Sequence, residues 1–342
     1  MSIPVFRPLI RRKEMHSVLS CMVSDVIGPA VIVEDLTAQV AAEFSFDGGT
    51  ALREYVRAVT LVIRSLNMEK GDKAVISPLA PAAYALAFKQ CGIIPVFADV
   101  KKSDATLDPD SVIDLSDSSV KAVFIHAPLG RVPDISALSS ISVPMVIDIG
   151  QALGARTEKG LLGSRADYLI ISMESDGIVT CGGGTLVLAS DVSRLKSLKN
   201  EIKELSPDAF LPDLNASLGL VQWRDYPGAL ESRMQLYDLF LKALSGTRHN
   251  VLVSPEEPAL AVPYSFPVVL TSPMNEVRRY AQKKGVETLP AFSSTIINYY
   301  PGTEDKCPSA RSLFMNVLLF PLYPSLGKKN IQLIAKVLST LP

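Results

Sequence analysis

The sequence is poor in several residue types, and each shortage argues against a class of protein. Its 342 residues include four cysteines, three histidines and one tryptophan. The cysteines lie far apart in the chain and lack the spacing of metal ligands, which predicts a reducing, cytoplasmic setting. Because His16, His126 and His249 are equally scattered, we expect no zinc site.

Neither a charge excess nor a long apolar run points to nucleic acid or a membrane as a partner. The chain has 34 Lys and Arg against 35 Asp and Glu, a net charge of -1, so electrostatic attraction to an anionic polymer or surface is not expected. No apolar run reaches the ~20 residues of a transmembrane helix. Pro4, Pro8 and the basic run 11–13 interrupt the start of the chain, so we expect no signal peptide.

Hydrophobic residues, in contrast, are plentiful. They make up 48% of the chain, which at this length predicts a large core and two domains. Short β-branched runs alternate with helical runs up to about residue 245, which predicts an α/β domain built on a doubly wound, mainly parallel sheet. Residues 246–342 are expected to form a smaller α+β domain.

The stretch from Val146 to Val187 organises the chain. It is predicted to form three buried strands, with Asp148 and Ser172 at the ends of the first two and a glycine run, 182–184, before the third. In open α/β sheets, ligands bind at the carboxyl ends of the strands. We therefore expect Asp148 and Ser172 to face one cleft.

A series of motifs in this stretch carries a resemblance to a known family. Asp148 is followed by Gln151, by an A-L-G-A run at 152–155, by G-S-R-A-D at 163–167 and by the glycines at 182–184. This order is similar to the core of the DegT/DnrJ/EryC1/StrS sugar aminotransferases, which are fold-type I enzymes dependent on pyridoxal phosphate (PLP). The resemblance spans nearly the whole chain, and it implies a homodimeric relative of the nucleotide-sugar aminotransferases of polysaccharide or antibiotic sugar biosynthesis.

The resemblance also implies cofactor contacts. Asp148 would hold the pyridine nitrogen, Gln151 would lie near the ring oxygen, and Ser172 would join Gly49 and Thr50 around the phosphate. Gly49 and Thr50 belong to a Gly-Gly-Thr sequence expected to lead from a strand into a helix over 51–66, where free N–H groups attract an anion. The alternative for Gly49 and Thr50 is a structural helix start, in which glycine relaxes the backbone and Thr50 caps the helix. Asp148 and Gln151 could equally be retained for the fold, with Asp148 capping a turn at the end of its strand.

Three departures from the family pattern decide the functional question. No lysine occurs between Ser172 and Gly182, and Asp176 or Gly177 stands where the resemblance puts the Schiff-base lysine. The aromatic residue that would stack on the ring is absent after Pro78, with Tyr84 the nearest candidate. Asp208 stands near the place of an asparagine that would reach the partner subunit's phosphate.

These departures leave several functions open. The first is a scaffold without catalysis, which binds a nucleotide-sugar-like molecule or an active paralogue; PLP or pyridoxamine phosphate (PMP) would bind noncovalently, if at all. The second is a lysine-independent PLP or PMP enzyme, such as a sugar dehydratase, with Asp176 as a base if burial raises its pKa. The third is transamination through Lys159, Lys196 or another amine. His126 ends a predicted strand, where a structural role is favoured over a ligand contact.

Overall fold

The computed structural model describes residues 2–116, 118–253 and 261–342, apart from the side chain of Glu304. The helices are α1 (Arg12–Val23), α2 (Val31–Glu43), α3 (Tyr55–Ser65), α4 (Ala82–Cys91), α5 (Pro109–Leu115), α6 (Val192–Ile202), α7 (Asp213–Leu244), α8 (Met274–Lys283), α9 (Thr303–Lys306), α10 (Pro308–Asn316) and α11 (Lys328–Leu338). The strands are β1 (Gly48–Leu52), β2 (Lys73–Ile76), β3 (Ile94–Phe97), β4 (Val120–His126), β5 (Met145–Asp148), β6 (Arg156–Thr157), β7 (Gly160–Leu161), β8 (Tyr168–Ser172), β9 (Thr185–Ala189), β10 (Asn250–Val251), β11 (Phe266–Val269), β12 (Leu289–Pro290) and β13 (Val317–Phe320).

The large sheet confirms the predicted fold class. Its strand order is β1-β9-β8-β5-β4-β2-β3. The strands from β3 to β8 in that order run parallel, while β9 is antiparallel to both β8 and β1. Helices α3, α4 and α6 cover one face and α2 and α7 the other, so both faces are buried, as is usual for parallel strands.

Side-chain alternation along β5 decides which face Asp148 joins. Val146 lies in the hydrophobic cluster with α3 and α4, whereas Ile147 lies in the cluster on the opposite face. Because residues two apart in a strand share a face, Asp148 points toward α3 and α4. His126 reaches the same face for the same reason, two residues after Phe124.

The Gly-Gly-Thr segment differs from the predicted strand-to-helix junction. Gly48–Leu52 forms edge strand β1, antiparallel to β9, and the helix begins only at Tyr55. A Cβ on Gly49 would lie 2.2 Å from the backbone oxygen of Val187. Glycine here permits the close approach of two strands, so the expectation of a helix N-terminus at Gly49 and Thr50 was wrong.

Helix α7 contains Pro227 and Gly228, two residue types that often break a helix. It is continuous from Asp213 to Leu244 with Pro227 inside. A proline removes one helical hydrogen bond, but α7 packs against α1 and α2 in its first half and contacts α11 as well. Tertiary packing of this kind supplies most helix stability. Within the described ranges, no helix has the apolar length needed to cross a membrane.

The second sheet, β10-β11-β13-β12, belongs to the smaller C-terminal part. Its hydrophobic cluster includes Phe240 and Leu244 from the end of α7 and Ile3 from the N-terminal arm. A loop after β12 reaches back to the large sheet, where the N–H of Ile296 donates to the carbonyl of Ala80 at 2.9 Å. This contact closes one side of the space above the carboxyl ends of β5 and β8.

Candidate active site

A cavity of about 240 Å³ lies at the carboxyl ends of β5 and β8. Its wall includes four of the predicted site residues, namely Asp148, Gln151, Ser172 and Asp176. We call it the Asp148 cavity. The other described lining residues are Phe6, Tyr55, Leu79, Pro81, His126, Leu129, Gly150, Glu174, Gly177, Tyr264, Leu289, Ala291, Phe292, Ser293, Ser294, Thr295 and Leu319.

The structure does not bring Gly49 and Thr50 to this cavity. They line a different pocket, beside β1 and α2, together with residues such as Glu34 and Lys199. The residues that flank the start of α3 are instead Arg53 and Glu54. The predicted site residues are therefore split between two places.

A glycine brings Asp148 and Ser172 close together. Strands β5 and β8 are parallel neighbours, with Asp148 opposite Ile170. Immediately after β5, a Cβ on Gly150 would lie 2.9 Å from the Cβ of Ser172. Without a side chain at Gly150, both strand ends can form one wall, as the sequence predicted.

Asp148 is fully buried and surrounded by hydrogen-bond donors. Its carboxylate accepts from the hydroxyl of Tyr55, from that of Tyr84 at 2.8 Å and from the N–H of Gly150 at 2.9 Å. The Nδ1 atom of His126 lies 3.6 Å from the same carboxylate, a close approach rather than a hydrogen bond. Burial favours the neutral acid, but the His126 ring, Tyr55 and Gly150 outweigh it and lower the pKa of Asp148 below its ordinary value.

The two tyrosines differ in their surroundings. Tyr84, in the first turn of α4, is buried to 1% exposure and packs edge-on against Phe124 at 5.9 Å. Tyr55 begins α3 and is partly exposed, and its ring meets that of Tyr84 edge-on at 5.9 Å. Burial, followed by the charge of Asp148, raises the pKa of both tyrosines well above the ordinary value. Both therefore remain protonated donors near neutral pH.

Sequence reasoning named Tyr84 as the nearest aromatic residue but missed Tyr55. The placement of Tyr55 depends on β1, because only a strand at 48–52 moves the start of the helix to residue 55. The sequence offered one signal, a tyrosine near the beginning of an amphipathic run. That signal alone does not distinguish a core residue from a cavity residue.

Asp176 lies in the loop after β8 and accepts a hydrogen bond from the hydroxyl of Tyr264 at 2.7 Å. Burial and then the charge of Asp176 raise the pKa of Tyr264 well above its ordinary value. Burial also raises the pKa of neighbouring Glu174, and the charge of Asp176 adds to this, although the N–H of Gly184 partly opposes it. The cavity wall thus contains two carboxylates close to each other and a third in Asp148.

Neither lysine nor arginine occurs in the described wall of the Asp148 cavity. Lys159, in the β6–β7 hairpin, and Lys196, in α6, are both exposed and do not line it. Asp208 is exposed too and does not line it, and its pKa is lowered by a hydrogen bond from Ser206 and by nearby arginines.

Gln151 and His126 both contribute to the wall. The side-chain oxygen of Gln151 accepts from the N–H of Leu129 at 2.9 Å, and Leu129 has a left-handed backbone with φ of 52°. Gln151 therefore holds the turn that follows β4. His126 is 6% exposed, and its Nδ1 has no hydrogen-bond partner among the described residues.

These residues do not fit PLP. The cofactor needs a carboxylate on its ring nitrogen, donors or cations for its phosphate, and an amine for its aldehyde. The carboxylate of Asp148 is inaccessible and already bonded by Tyr55. Three carboxylates but neither lysine nor arginine line the described wall, and fixed negative charge in a partly dry site repels a phosphate.

Comparisons with known protein sequences point to one family. The sequence profile of the DegT/DnrJ/EryC1/StrS aminotransferase family matches residues 10–339. A dTDP-4-dehydro-2,3,6-trideoxy-D-glucose 4-aminotransferase from Saccharopolyspora spinosa is 22% identical, over 97% of this chain and 95% of its own length. A GDP-perosamine synthase from Vibrio cholerae is 21% identical over 71% of each chain.

Solved structures share the fold. An aminotransferase from Streptoalloteichus hindustanus matches with a TM-score of 0.89 at 20% identity, over 98% of this chain and 97% of its own. The Escherichia coli GDP-4-keto-6-deoxy-D-mannose-3-dehydratase, solved with hydrated PLP, matches with a TM-score of 0.86 at 15% identity, over 99% and 100% of the two chains. The fold is therefore that of PLP-dependent sugar aminotransferases and of a dehydratase built on the same scaffold.

Proposed function

We propose, from the premise that the chain belongs to the DegT/DnrJ/EryC1/StrS aminotransferase family, that it is a member unable to transaminate. It keeps the family scaffold to bind a small molecule or a partner chain. One observation carries the proposal: the described wall of the Asp148 cavity contains no lysine, and Asp176 and Gly177 line it after β8.

The missing amine matters because of what it does in the reaction. A transaminase needs a neutral amine to hold the carbonyl carbon and to move a proton between two carbons. The carboxylate of Asp176 cannot form a carbon–nitrogen bond, and it accepts a hydrogen bond from Tyr264. Lys159 and Lys196 are exposed and do not line the cavity, so either would need a large displacement to replace it.

The cavity itself supports a small, uncharged ligand. Pockets for drug-sized molecules enclose roughly 300 to 1,000 Å³, and the Asp148 cavity has about 240 Å³. It can hold a sugar ring rather than a whole nucleotide sugar. Ser172, Ser293 and Ser294 offer hydroxyls, and the rings of Tyr55 and Phe292 offer apolar faces, a combination that suits a polyhydroxylated ring. If the ring belongs to a nucleotide sugar, the phosphates of that molecule would lie outside the cavity, away from the carboxylates.

A lysine-independent reaction with PLP or PMP, such as that of a sugar dehydratase, is the second candidate. The cavity position of Asp176, close to Glu174, favours it, because a carboxylate there can accept a proton from a bound molecule. The absence of lysine and arginine from the described wall weighs against it, since the phosphate of either cofactor would lack a permanent counter-charge there.

Reduction with borohydride tests the proposal. Purified protein is mixed with PLP, treated with borohydride and digested, and its peptides are weighed by mass spectrometry. We expect no phosphopyridoxyl group on any peptide that lines the Asp148 cavity, because no lysine is available there to form the bond. A modified lysine inside the cavity would contradict the proposal, whereas labels on exposed lysines such as Lys159 mark nonspecific reaction.

A variant and a second cofactor sharpen the result. Asp176→Lys supplies an amine, yet we expect no aldimine absorbance band from it. The hydroxyl of Tyr55 still donates to the carboxylate of Asp148, which therefore cannot bind the ring nitrogen of PLP. Titration with PMP, which needs no lysine, separates the two candidates. Saturable binding of PMP to the wild-type protein would favour the lysine-independent enzyme, and an unchanged PMP spectrum would favour the scaffold.

A further inference from the structure

An ionised carboxylate with no exposed surface needs compensation. Moving such a charge out of water is costly unless hydrogen bonds or opposite charges replace the lost hydration. Asp148 has 0% exposure and receives hydroxyl groups from Tyr55 and Tyr84 in addition to the N–H of Gly150. The hydroxyls of the two tyrosines therefore donate the hydrogen bonds that water or a bound ligand would otherwise donate to this carboxylate.

Only one of these tyrosines faces the cavity. Tyr84 lies in the hydrophobic core with Phe88 and Phe124, so its hydroxyl approaches Asp148 from inside the protein. Tyr55 lines the Asp148 cavity and is partly exposed to it. The side of Asp148 that a bound molecule would approach is thus covered by the Tyr55 phenol.

We propose that Tyr55 is an internal substitute for a pyridine ring. Its six-membered ring fills the space next to Asp148, and its O–H donates to the carboxylate as a protonated pyridine N–H would. Carboxylates pair with the ring nitrogen of PLP in this way in general. The Asp148 cavity then contains a latent site for pyridines, closed in the wild-type protein by one side chain.

The packing around Tyr55 holds its side chain in one position. Its ring contacts Tyr84 edge-on at 5.9 Å, a favourable aromatic geometry. Its backbone is the first turn of α3, which packs against α4 and α6. A pyridine ring cannot reach Asp148 while this side chain is present, because the Tyr55 ring takes the space between Asp148 and the cavity.

Pyridoxine is the probe that tests this inference. It has the pyridine ring but neither the aldehyde nor the phosphate of PLP, so its binding is independent of any lysine or phosphate site. The inference rests on the proposed function. Because pyridoxine cannot form an aldimine, its binding tests the role of Tyr55 separately from the loss of transamination. We expect no binding of pyridoxine to the wild-type protein in calorimetric titration at millimolar concentration.

Tyr55→Ala should open the site. We expect it to bind pyridoxine at least about tenfold more tightly than the wild-type protein, since a charge-assisted hydrogen bond to Asp148 becomes available. Adding Asp148→Asn to this variant should abolish the gain. Tyr264→Ala is the matched control, because Tyr264 also lines the cavity and donates to a carboxylate, that of Asp176. It opens comparable space without uncovering Asp148 and should bind no pyridoxine.

Two results would overturn the inference. One is equal binding of pyridoxine by the wild-type protein and Tyr55→Ala; the other is a folded Tyr55→Ala that binds none.

Should Tyr55→Ala not fold, Tyr55→Phe tests the inference instead, since it keeps the ring and removes the hydrogen-bond donor. Losing that bond moves the folded pKa of Asp148 up toward its ordinary value. The stability from a lowered carboxyl pKa is present above the ordinary value, about 3.9, and is lost as pH falls through the folded value.

Tyr55→Phe should therefore unfold at a temperature roughly 2 to 4 °C lower near neutral pH. The difference should shrink as acid protonates Asp148, first in Tyr55→Phe and at a lower pH in the wild-type protein, where the pKa of Asp148 is lowered. Equal unfolding temperatures at neutral pH would mean that Tyr55 gives Asp148 no bond, and the inference would be wrong.

Discussion

At the scale of single residues, Gly49 shows how the lack of a side chain fixes the edge of the large sheet. It stands opposite Leu188 in the β1–β9 pair. A Cβ would lie 2.2 Å from the oxygen of Val187 and 2.6 Å from a methyl carbon of Leu188. Since the nearest of these atoms belongs to the backbone, β9 would have to move. Gly49, which the family resemblance placed around the phosphate, thus has a structural role in strand pairing.

Gly49→Ala should destabilise the protein by about 1 to 3 kcal/mol, the usual cost of forcing extra atoms into a packed site. The free energy of unfolding in urea measures this. Gly28→Ala is the control, because a Cβ at Gly28 would meet nothing within 4 Å, and we expect its effect to stay within roughly 0.5 kcal/mol. An unchanged stability of Gly49→Ala would argue against the structural role.

At the scale of elements, helix α2 begins with a cap that comes from a distant part of the chain. The residue before it, Ala30, has no side-chain oxygen. The carboxylate of Asp213, at the start of α7, instead accepts from the N–H groups of Ala30, Ile32 and Val33 at 2.9 to 3.0 Å. One buried carboxylate therefore satisfies donors at the beginning of α2 and fixes α2 against α7.

Asp213→Ala should cost about 2 to 4 kcal/mol, since it removes a helix cap and leaves buried N–H groups without a partner. Asp191→Ala is the matched control: Asp191 caps its own helix, α6, by accepting from the N–H of Arg194 at 2.9 Å, and is exposed. We expect that variant to lose roughly 0.5 to 1 kcal/mol. Unfolding in urea compares the two, and equal losses would refute the cross-helix role of Asp213.

At the scale of the whole molecule, α1 and the turn after it leave an apolar surface uncovered. Glu14 and Cys21 on one side of α1 are buried, and α1 packs against α7. Large apolar side chains that are at least half exposed occur at Ile10, Met15, Leu19, Met22, Val23, Val26, Ile27 and Val31. So many exposed apolar side chains in one short segment, residues 10–31, are typical of a subunit interface.

We expect a homodimer that buries this surface, with an interface beside the Asp148 cavity and above roughly 2,000 Å² in total. The double variant Leu19→Asp, Val23→Asp should dissociate it, because two charges would be buried without partners. Light scattering at micromolar concentration measures the change. Val192→Asp alters an exposed valine on α6 and should leave the mass unchanged. A monomeric wild-type protein would contradict the prediction, as would a double variant that remains dimeric.

The sequence by itself determined the features that local patterns encode. Alternating strand and helix runs gave the α/β class, and the motif order around Asp148 gave the family. Asp148 and Ser172 were correctly predicted to share one cleft, because a strand's end and its inward face follow from residues close in sequence. The domain boundary after residue 245 stays a prediction, while Phe240 and Leu244 pack with the smaller part.

Tertiary structure decided what touches Asp148 and what does not. Tyr55 reaches it from 93 residues away, and Asp213 caps α2 from up to 183 residues away. Such contacts depend on how whole elements pack, which local propensity does not encode. Gly49 and Thr50 were misplaced for the same reason: a glycine-rich segment suits a helix start or a close strand pair equally well, and only the nearness of β9 selected the strand.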